Sequence, residues 1–377
     1  MSEAARTILQ TNTEAARETA GEADPGFLWD FWYPALRSTE ITGNKLVTAM
    51  LLEVPLVLGR TSDGKAFAMR DSCPHRGMPL SYGRFDGQAV ECSYHGWRFD
   101  ACSGRCVEIP SLTNQDKLKV ERIFAGHLPC EECDGYVWVY MTSLERRAGD
   151  SARLPDTIPA APPLLVFSDK YEITHLSCKL PSHIDHGIIG LMDPAHGPFV
   201  HQAWFWRSRH SIHEKEKNFE PIPNGFRMSK HSPSSNSLPY QLLQKMTGEP
   251  VTTTIDFVLP NQRLEEIHSG KLWFSSRATV TPVRRDLCRI DFAAAWNIFL
   301  PVPLFRIFAK KFLRQDQETM IRQAEGLKHN PHLMLIDDAD RPAKWYFALK
   351  ANLIESRRTG VPMVHPMAGP VTLRWRS

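Results

Sequence analysis

The sequence has no apolar run long enough to span a membrane, because a spanning helix needs about 20 predominantly apolar residues. The nearest stretch, residues 296–313, is interrupted by Pro301, Pro303 and several charged residues. A core strand followed by an amphipathic helix is the favoured interpretation of this stretch, and a helix lying on a membrane surface is the alternative. The first 26 residues are polar where a signal peptide would need an apolar core.

The sequence also has little net charge. Its 45 Lys and Arg residues nearly balance its 42 Asp and Glu residues, for a formal charge of +3. No basic run is interleaved with aromatic residues, so nucleic acid is not an expected partner. No internal repeat or low-complexity segment is visible. No Gly-x-Gly-x-x-Gly motif follows a strand pattern, so the chain is expected to lack its own nicotinamide or flavin site.

Eight cysteines in a chain without an export signal indicate a reducing compartment, and we expect a cytoplasmic protein, with peripheral membrane contact left open. Cys130 and Cys133 have the spacing of a redox motif. They precede the strand-like run YVWVY rather than a helix, which favours a structural role. Cys102, Cys106, Cys178 and Cys288 are expected to be small buried apolar residues.

A length of 377 residues suits two domains. We predict a polar tail at 1–24, a small antiparallel β domain at 25–145, a linker at 146–163 and a second domain at 164–377. The first domain is predicted from short alternating runs between Gly, Pro and Asp-Gly turns. The second contains further strand patterns, followed by helical stretches at 305–327 and 343–355. The expected class is α+β, with a sheet covered by a long helix.

Two Cys/His pairs lie in the first predicted domain, Cys73-x-His75 and Cys92-x-x-His95. A structural zinc ion would use all four ligands at once, usually with paired cysteines. A Rieske [2Fe–2S] cluster needs two thiolates on one iron and two imidazoles on the other, so that each loop gives one of each. Each of the two loops gives one cysteine and one histidine, as a Rieske cluster requires. We therefore expect a [2Fe–2S] cluster at these four residues.

The segment DPAHGPFVH supplies Asp193, His196 and His201 in the second predicted domain. Two histidines and one carboxylate hold a mononuclear Fe(II) that activates O2. Two histidines five residues apart converge if the chain bends at Gly197-Pro198. The carboxylate must come from elsewhere, and the best candidate is Asp316 on the predicted helix. Glu318 is the alternative.

Several segments resemble the catalytic α subunit of Rieske non-haem iron oxygenases, namely FWYPAL, GRTSDGKAFAMRDSCPHRG, YHGW, RFDACSGRCVEIPS and LMDPAHGPFVH. The likeness is closest to the branch of pheophorbide a oxygenase-like and vanillate O-demethylase-like enzymes. It implies a helix-grip fold for the second domain. It also implies cluster ligation by Cys73, His75, Cys92 and His95, and iron ligation by His196, His201 and Asp316.

The resemblance further implies a cyclic homotrimer. In this family an aspartate, here Asp193, accepts from the iron histidine, here His196, and from the cluster histidine of a neighbouring subunit, here His95. Two positions depart from the family pattern. Gly190 stands where Asn is frequent, and His183-Ile184 where Asn-Trp is usual. Loss of the Asn removes a polar group near the iron and leaves the ligands in place.

The expected function is O2-dependent hydroxylation or oxidative demethylation of a bulky hydrophobic substrate that is aromatic, sterol-like or tetrapyrrole-like. A ferredoxin and/or a flavin reductase would supply the electrons. Aromatic-ring dioxygenation, a Rieske electron carrier without oxygenase activity and a zinc-stabilised binding module are the alternatives. His183 and His186 either assist the iron site or are structural. Trp204, Phe205 and Trp206 either line an apolar pocket or pack the fold.

Overall fold

The computed structural model describes residues 26–143, 157–160, 171–202, 208–233 and 238–377. The predicted tail at 1–24 and most of the predicted linker at 146–163 lie outside these ranges, as do Trp204, Phe205 and Trp206. The predicted domain boundaries therefore stay a prediction.

The first described range is built from short antiparallel strands. These are β1 (Phe31–Arg37), β2 (Val47–Leu51), β3 (Val54–Arg60), β4 (Ala66–Arg70), β5 (Arg84–Phe85), β6 (Ala89–Glu91), β7 (Arg98–Asp100), β8 (Cys106–Glu108), β9 (His127–Leu128), β10 (Cys130–Cys133) and β11 (Tyr136–Met141). They form three sheets with the orders β1-β11-β10, β2-β3-β4-β9 and β5-β6-β7-β8. All six residues of β11 are buried, as its aromatic and β-branched composition predicts.

One large antiparallel sheet dominates the rest of the chain. Its strands are β12 (Thr174–Leu180), β13 (Glu214–Ile222), β14 (Gly225–His231), β15 (Thr252–Val258), β16 (Gln262–Ser269), β17 (Leu272–Arg284), β18 (Leu287–Trp296) and β19 (Val371–Arg376). The strand order is β12-β18-β17-β16-β15-β14-β13-β19. Most neighbours in this order are also neighbours in sequence, and short turns join all of these pairs except β14 and β15, which a segment with a helix connects.

Five α-helices lie in the described residues of this part. They are α1 (Ile184–Met192), α2 (Gly197–Val200), α3 (Leu238–Thr247), α4 (Val302–Leu327) and α5 (Arg341–Thr359). The last two are the helices predicted at 305–327 and 343–355, each with an earlier start. Both begin with a proline in the first turn, which a helix tolerates because the first N–H groups have no partner within the helix. The predicted α+β architecture is confirmed.

One hydrophobic core runs through both parts of the structure. It joins Tyr33 and Val139 of the small sheets to Leu180 of β12 and Tyr346 of α5, all of which are buried. A separate, smaller core surrounds Cys73 and Cys92. The core is continuous because residues of β1 and β11 belong to the same buried cluster as residues of the second part.

Backbone and side-chain bonds reinforce this junction. The turn between β2 and β3 places Leu52 and Glu53 at positive φ, and their N–H groups donate to the carbonyls of Pro282 and Val283 on β17. The buried Arg277 of β17 pairs with the buried Asp134 at 2.6 Å and lies over the Trp138 ring. The two parts are therefore held in one fixed arrangement.

Candidate metal centres

The two Cys/His loops have the same backbone construction. The N–H of Cys73 donates to Met78 and the N–H of Gly77 donates back to Cys73. In the second loop, Cys92 donates to Trp97 and Gly96 donates back to Cys92. Each glycine lies at positive φ, 72° and 68°, a conformation that a side chain would strain. The similar sequence spacing thus produces two matching loops.

The four predicted cluster ligands come together in pairs between these loops. The Cys73 and Cys92 thiols are buried side by side, and burial together with the neighbouring Cys92 raises the pKa of Cys73 to about 11. The His75 and His95 rings lie 4.5 Å apart, centroid to centroid, and the His75 ring stacks on Trp97. Two thiols on one side and two imidazoles on the other is the donor set of a Rieske cluster.

A buried polar atom without a partner supports the same fit. Nδ1 of His95 is buried and makes no hydrogen bond with any described residue. Burying such a group without a partner costs free energy, which a bond to a metal would offset. The residues present therefore fit a [2Fe–2S] cluster, which Cys73, His75, Cys92 and His95 would hold.

The second centre is built around α2, a helix of a single turn. His196 is its N-cap, Pro198 lies in its first turn and His201 is its C-cap. This turn supplies the predicted bend, so that two histidines five residues apart have ring centroids 4.9 Å apart. The helix α4 brings a carboxylate to the same place.

Three donor atoms converge at this centre. Nε2 of His196 lies 3.1 Å from Nε2 of His201, which lies 3.1 Å from Oδ1 of Asp316. The donor atoms of these three residues all lie within 4.8 Å of one another. Donors bound to one metal ion at roughly 2.1 Å and about a right angle lie ~3 Å apart. The spacing therefore suits a single ion.

The other ring nitrogens show what these donors present to an ion. Nδ1 of His196 lies 2.8 Å from the main-chain carbonyl of Asp193, and Nδ1 of His201 lies 3.2 Å from Oε1 of Gln315. Carbonyl oxygens only accept, so each Nδ1 carries a proton, and Nε2 is the nitrogen that offers a lone pair in the neutral ring. Two lone pairs and a carboxylate that face each other at 3.1 Å repel unless a cation lies between them.

Burial affects the protonation of His196 at this centre. It lowers the pKa of His196, so that the imidazole is neutral and able to bind a metal at neutral pH. Two neutral imidazoles and one carboxylate are the protein ligands of non-haem Fe(II) sites. The residues present fit a mononuclear iron.

Asp193 differs from the prediction in one respect. Its carboxylate was expected to accept from His196, but it accepts from the N–H of Ala195 at 2.7 Å and lies 3.7 Å from Nδ1 of His196. The main-chain carbonyl of Asp193 accepts the hydrogen bond from His196 instead, because the extended backbone at the end of α1 turns that carbonyl toward the ring. The carboxylate remains about one-third exposed, and the described residues of one chain show no contact between it and His95.

Other predicted positions lie outside the three-donor group. Glu318, the alternative carboxylate, pairs with Arg314 on the outer side of α4. His183 caps α1 by accepting from the N–H of Asp185, which is a structural role. His186 is partly buried, and its Nδ1 has no hydrogen-bond partner among the described residues. Neither histidine joins His196, His201 and Asp316.

Gly190 faces α4. A Cβ at this position would lie 3.9 Å from Sδ of Met320, which is an ordinary van der Waals contact, so a side chain here would pack next to Met320. Cys130 and Cys133 both lie on β10, three residues apart, where alternate side chains point to opposite faces. Both are free thiols, and the structural interpretation of this pair is favoured.

Gln315 contacts His201 at this centre, and the sequence pattern does not predict this contact. Its side-chain oxygen accepts from Nδ1 of His201 and so fixes the tautomer of that ring. Gln315 is uncharged and lies next to Asp316 in the sequence. A polar residue next to a ligand on an amphipathic helix was the one available signal. Within the described ranges, no helix combines the length and apolar character that a membrane crossing requires.

Comparison with known proteins agrees with this geometry. Residues 31–123 match the family model of the Rieske [2Fe-2S] domain. This range contains both Cys/His loops, so the chain carries a Rieske domain.

The chain is homologous to Rieske oxygenase subunits. It is 31% identical to the 3-chlorobenzoate-3,4-dioxygenase oxygenase subunit of Comamonas testosteroni, over 52% of this chain and 42% of the relative. It is 35% identical to chlorophyllide a oxygenase of Chlamydomonas reinhardtii, over 50% of this chain and 27% of the relative. The matches thus span less than half the length of either relative. The predicted relationship to Rieske oxygenase subunits is confirmed.

A solved structure extends the likeness to the whole fold. Dicamba monooxygenase bound to dicamba is similar with a TM-score of 0.66 and 20% identity, over 88% of this chain and 99% of that one. At this identity the likeness concerns the fold. The large sheet with its helices is therefore a fold shared with dicamba monooxygenase.

Proposed function

We propose that the protein is a Rieske-type oxygenase that uses O2 and externally supplied electrons to hydroxylate or oxidatively demethylate a bulky hydrophobic substrate. The observation that carries this proposal is the convergence of His196, His201 and Asp316, with both histidine tautomers fixed so that the lone pairs face the carboxylate. A Rieske electron carrier alone would not need this second centre.

Each centre has one role in this scheme. The two Cys/His loops would hold a [2Fe–2S] cluster, whose chemistry is the transfer of single electrons. His196, His201 and Asp316 would hold an Fe(II) ion, whose chemistry is the activation of O2. The main-chain carbonyl of Asp193 and the amide oxygen of Gln315 accept hydrogen bonds from the two Nδ1 atoms and so orient both Nε2 atoms toward the ion.

Electron transfer between the centres is proposed to cross a subunit boundary in a cyclic homotrimer. The described residues of one chain show no contact between Asp193 and His95, whereas the Asp193 carboxylate is partly exposed and has one short hydrogen bond. An imidazole of a neighbouring subunit could donate to its second oxygen. A closed ring would serve every iron site with a cluster from the next subunit.

The electrons must reach the cluster from another protein. The sequence has no dinucleotide-binding motif, so a ferredoxin and/or a flavin reductase is the proposed donor. These partners would dock near the Cys/His loops of the Rieske domain.

The substrate is proposed to bind against the helix-facing side of the large sheet. Phe274 and Trp296 of the sheet pack around Phe305 of α4, with ring centroids 5.7 Å and 4.4 Å from it, and form an aromatic surface. Such surfaces suit apolar ligands. The homologous 3-chlorobenzoate-3,4-dioxygenase subunit favours ring dioxygenation as the second candidate reaction.

Metal analysis and O2 uptake test the proposal together. We expect about three iron atoms and two sulfides per chain, which is one iron more than the cluster holds. With a surrogate reductase, a panel of hydrophobic compounds should contain one that increases O2 consumption. Two irons without O2 uptake would favour the electron carrier, and zinc without visible absorption would favour the binding module.

A further inference from the structure

The helix-facing side of the large sheet contains an ion pair in an apolar row. Directly opposite residues on neighbouring strands share a face. One such row runs Phe226, Phe257, Arg263, Ala278 and Phe292 across five strands. Arg263 is the only charged member of this row, and it lies at the centre.

Contacts at both ends of the row show which side it faces. The Phe292 ring lies 6.4 Å from Phe305 of α4, and the Phe257 ring lies 5.8 Å from Tyr346 of α5. The row therefore faces the helices. Because side chains alternate along a strand, Glu265 shares this face with Arg263.

Arg263 and Glu265 bond to each other. Nη1 of Arg263 donates to Oε2 of Glu265 at 3.0 Å, and the two side chains are 22% and 20% exposed. This is the one side-chain hydrogen bond that the described residues give to either group. The guanidinium therefore keeps most of its five N–H donors for another acceptor.

A charged pair on this face is costly for the fold. Removing charges from water carries a desolvation cost that a single ion pair does not reliably offset. The core needs an apolar residue here, as its neighbours Phe257 and Ala278 show. Both side chains nevertheless remain partly exposed, so a small molecule in the surrounding water can reach them.

The same face leads toward the iron centre. Cys178 of β12 lies on it, and its thiol approaches the carbonyl of Leu313 on α4 at 3.9 Å, one turn before Asp316. Apolar walls with a few placed polar groups are typical of small-molecule sites. A ligand in contact with Arg263 would thus lie on the side of the sheet that carries the proposed reaction.

We propose that Arg263, oriented by Glu265, binds an oxygen acceptor of the substrate, a carboxylate or a carbonyl, while the aromatic surface holds its apolar body. The planar guanidinium fork suits a carboxylate through two parallel bonds and a carbonyl through one. This inference rests on the proposed function and assigns to it a substrate class, an aromatic or similarly apolar molecule with one acceptor group.

The test is calorimetric binding to the metal-loaded protein. The probes are 3-chlorobenzoate, its neutral amide 3-chlorobenzamide, and chlorobenzene, which has no acceptor. Arg263→Met keeps the length of the side chain and removes its donors. The wild type should prefer either 3-chlorobenzoate or 3-chlorobenzamide, the two probes with an oxygen acceptor. We expect Arg263→Met to bind that preferred probe at least tenfold more weakly, because charge-assisted hydrogen bonds are lost. Chlorobenzene binding should not change.

Two further variants make the result specific. Arg263→Met with Glu265→Gln leaves no lone charge on this face and should show the same loss, which separates recognition from misfolding. Arg284→Met is the matched control, since Arg284 also pairs with an acid two residues away on the same sheet but is half exposed. It should bind all probes normally. A carboxylate preference over the amide would identify an anionic substrate, and the reverse a neutral one.

Equal binding of the acceptor probes by wild type and Arg263→Met would overturn the inference, as would no binding of either by the wild type at millimolar concentration. Neither result affects the iron content or O2 uptake on which the proposed function depends. Failure of this inference is therefore distinguishable from failure of the proposed function.

Discussion

Nε2 of His201 lies 3.1 Å from Oδ1 of Asp316, although the two residues are separated by 115 positions in the sequence. The bend at α2 and the packing of α4 on the large sheet produce this approach. Since Gln315 holds the other nitrogen of the same ring, α4 contacts both sides of the His201 imidazole.

Removal of Asp316 should empty the mononuclear site. Asp316→Ala takes away one of three ligands, so we expect the loss of about one iron per chain and of turnover, while the cluster remains reducible. Metal analysis and electron paramagnetic resonance of the reduced cluster measure this. Glu318→Gln, on the outer side of the same helix, is the control and should keep its iron. Full activity of Asp316→Ala would move the carboxylate elsewhere.

Cys73→Ser should abolish the visible absorption of the cluster, because an alcohol does not replace a buried thiolate ligand. The iron at His196 and His201 should remain, since that centre lies in the other part of the structure. Cys102→Ser changes a thiol of the same domain that is exposed rather than buried as the sequence predicted, and it should leave the spectrum intact. An unchanged Rieske signal in Cys73→Ser would refute the ligand assignment.

Gln315→Leu should weaken iron binding by roughly 10- to 100-fold, as is typical when a group that orients a metal-binding histidine is lost. Competition with a chelator at a range of concentrations measures this affinity without turnover. Gln317→Leu is the matched control, because Gln317 bonds to the carbonyl of Lys179 instead of a ligand. Equal affinities in the two variants would show that Gln315 does not orient His201.

Asp193→Asn should retain both metal centres and the assembly. The main-chain carbonyl, which the substitution preserves, holds His196 in place. Electron transfer from cluster to iron should nevertheless slow by roughly 100-fold, because the carboxylate is the proposed acceptor for the neighbouring His95. Single-turnover kinetics of the reduced protein and its mass in solution test this. A fully active monomeric wild type, or a normal rate in Asp193→Asn, would exclude the intersubunit route.

Arg277→Leu should destabilise the protein by about 3–5 kcal/mol, because it leaves the buried Asp134 carboxylate without this cation. Urea unfolding measures the change. Arg374→Met removes an exposed pair with Glu216 and should cost under about 1 kcal/mol. If both variants unfold at the same urea concentration, the buried pair does not stabilise the junction.

Local patterns predicted much of this structure. The Cys/His spacing and the glycines at positions 77 and 96 specify short loops, and the apolar periodicity of 305–327 specifies the helix that carries Asp316. These features depend on residues close in sequence. The same holds for the hairpins of the large sheet.

Contacts that depend on tertiary packing could not be read from the sequence. The acceptor for His196 follows from the backbone torsion at Asp193, and the role of Gln315 follows from how α4 lies on β12. The position of Arg263 among apolar residues requires the register of five strands. Leu52 and Glu53 adopt positive φ, against their own preferences, because β17 accepts hydrogen bonds from both.

The continuous core determines where the protein can be cut. A fragment ending near residue 143 would expose Tyr33, Val137, Val139 and Met141 to water, since these side chains are buried in the cluster that also holds Leu180 and Tyr346. Such a fragment should aggregate rather than yield a free iron–sulfur protein. By the same reasoning, an electron-transfer domain transplanted from a relative would have to bring its own apolar contacts or be redesigned along β1 and β11.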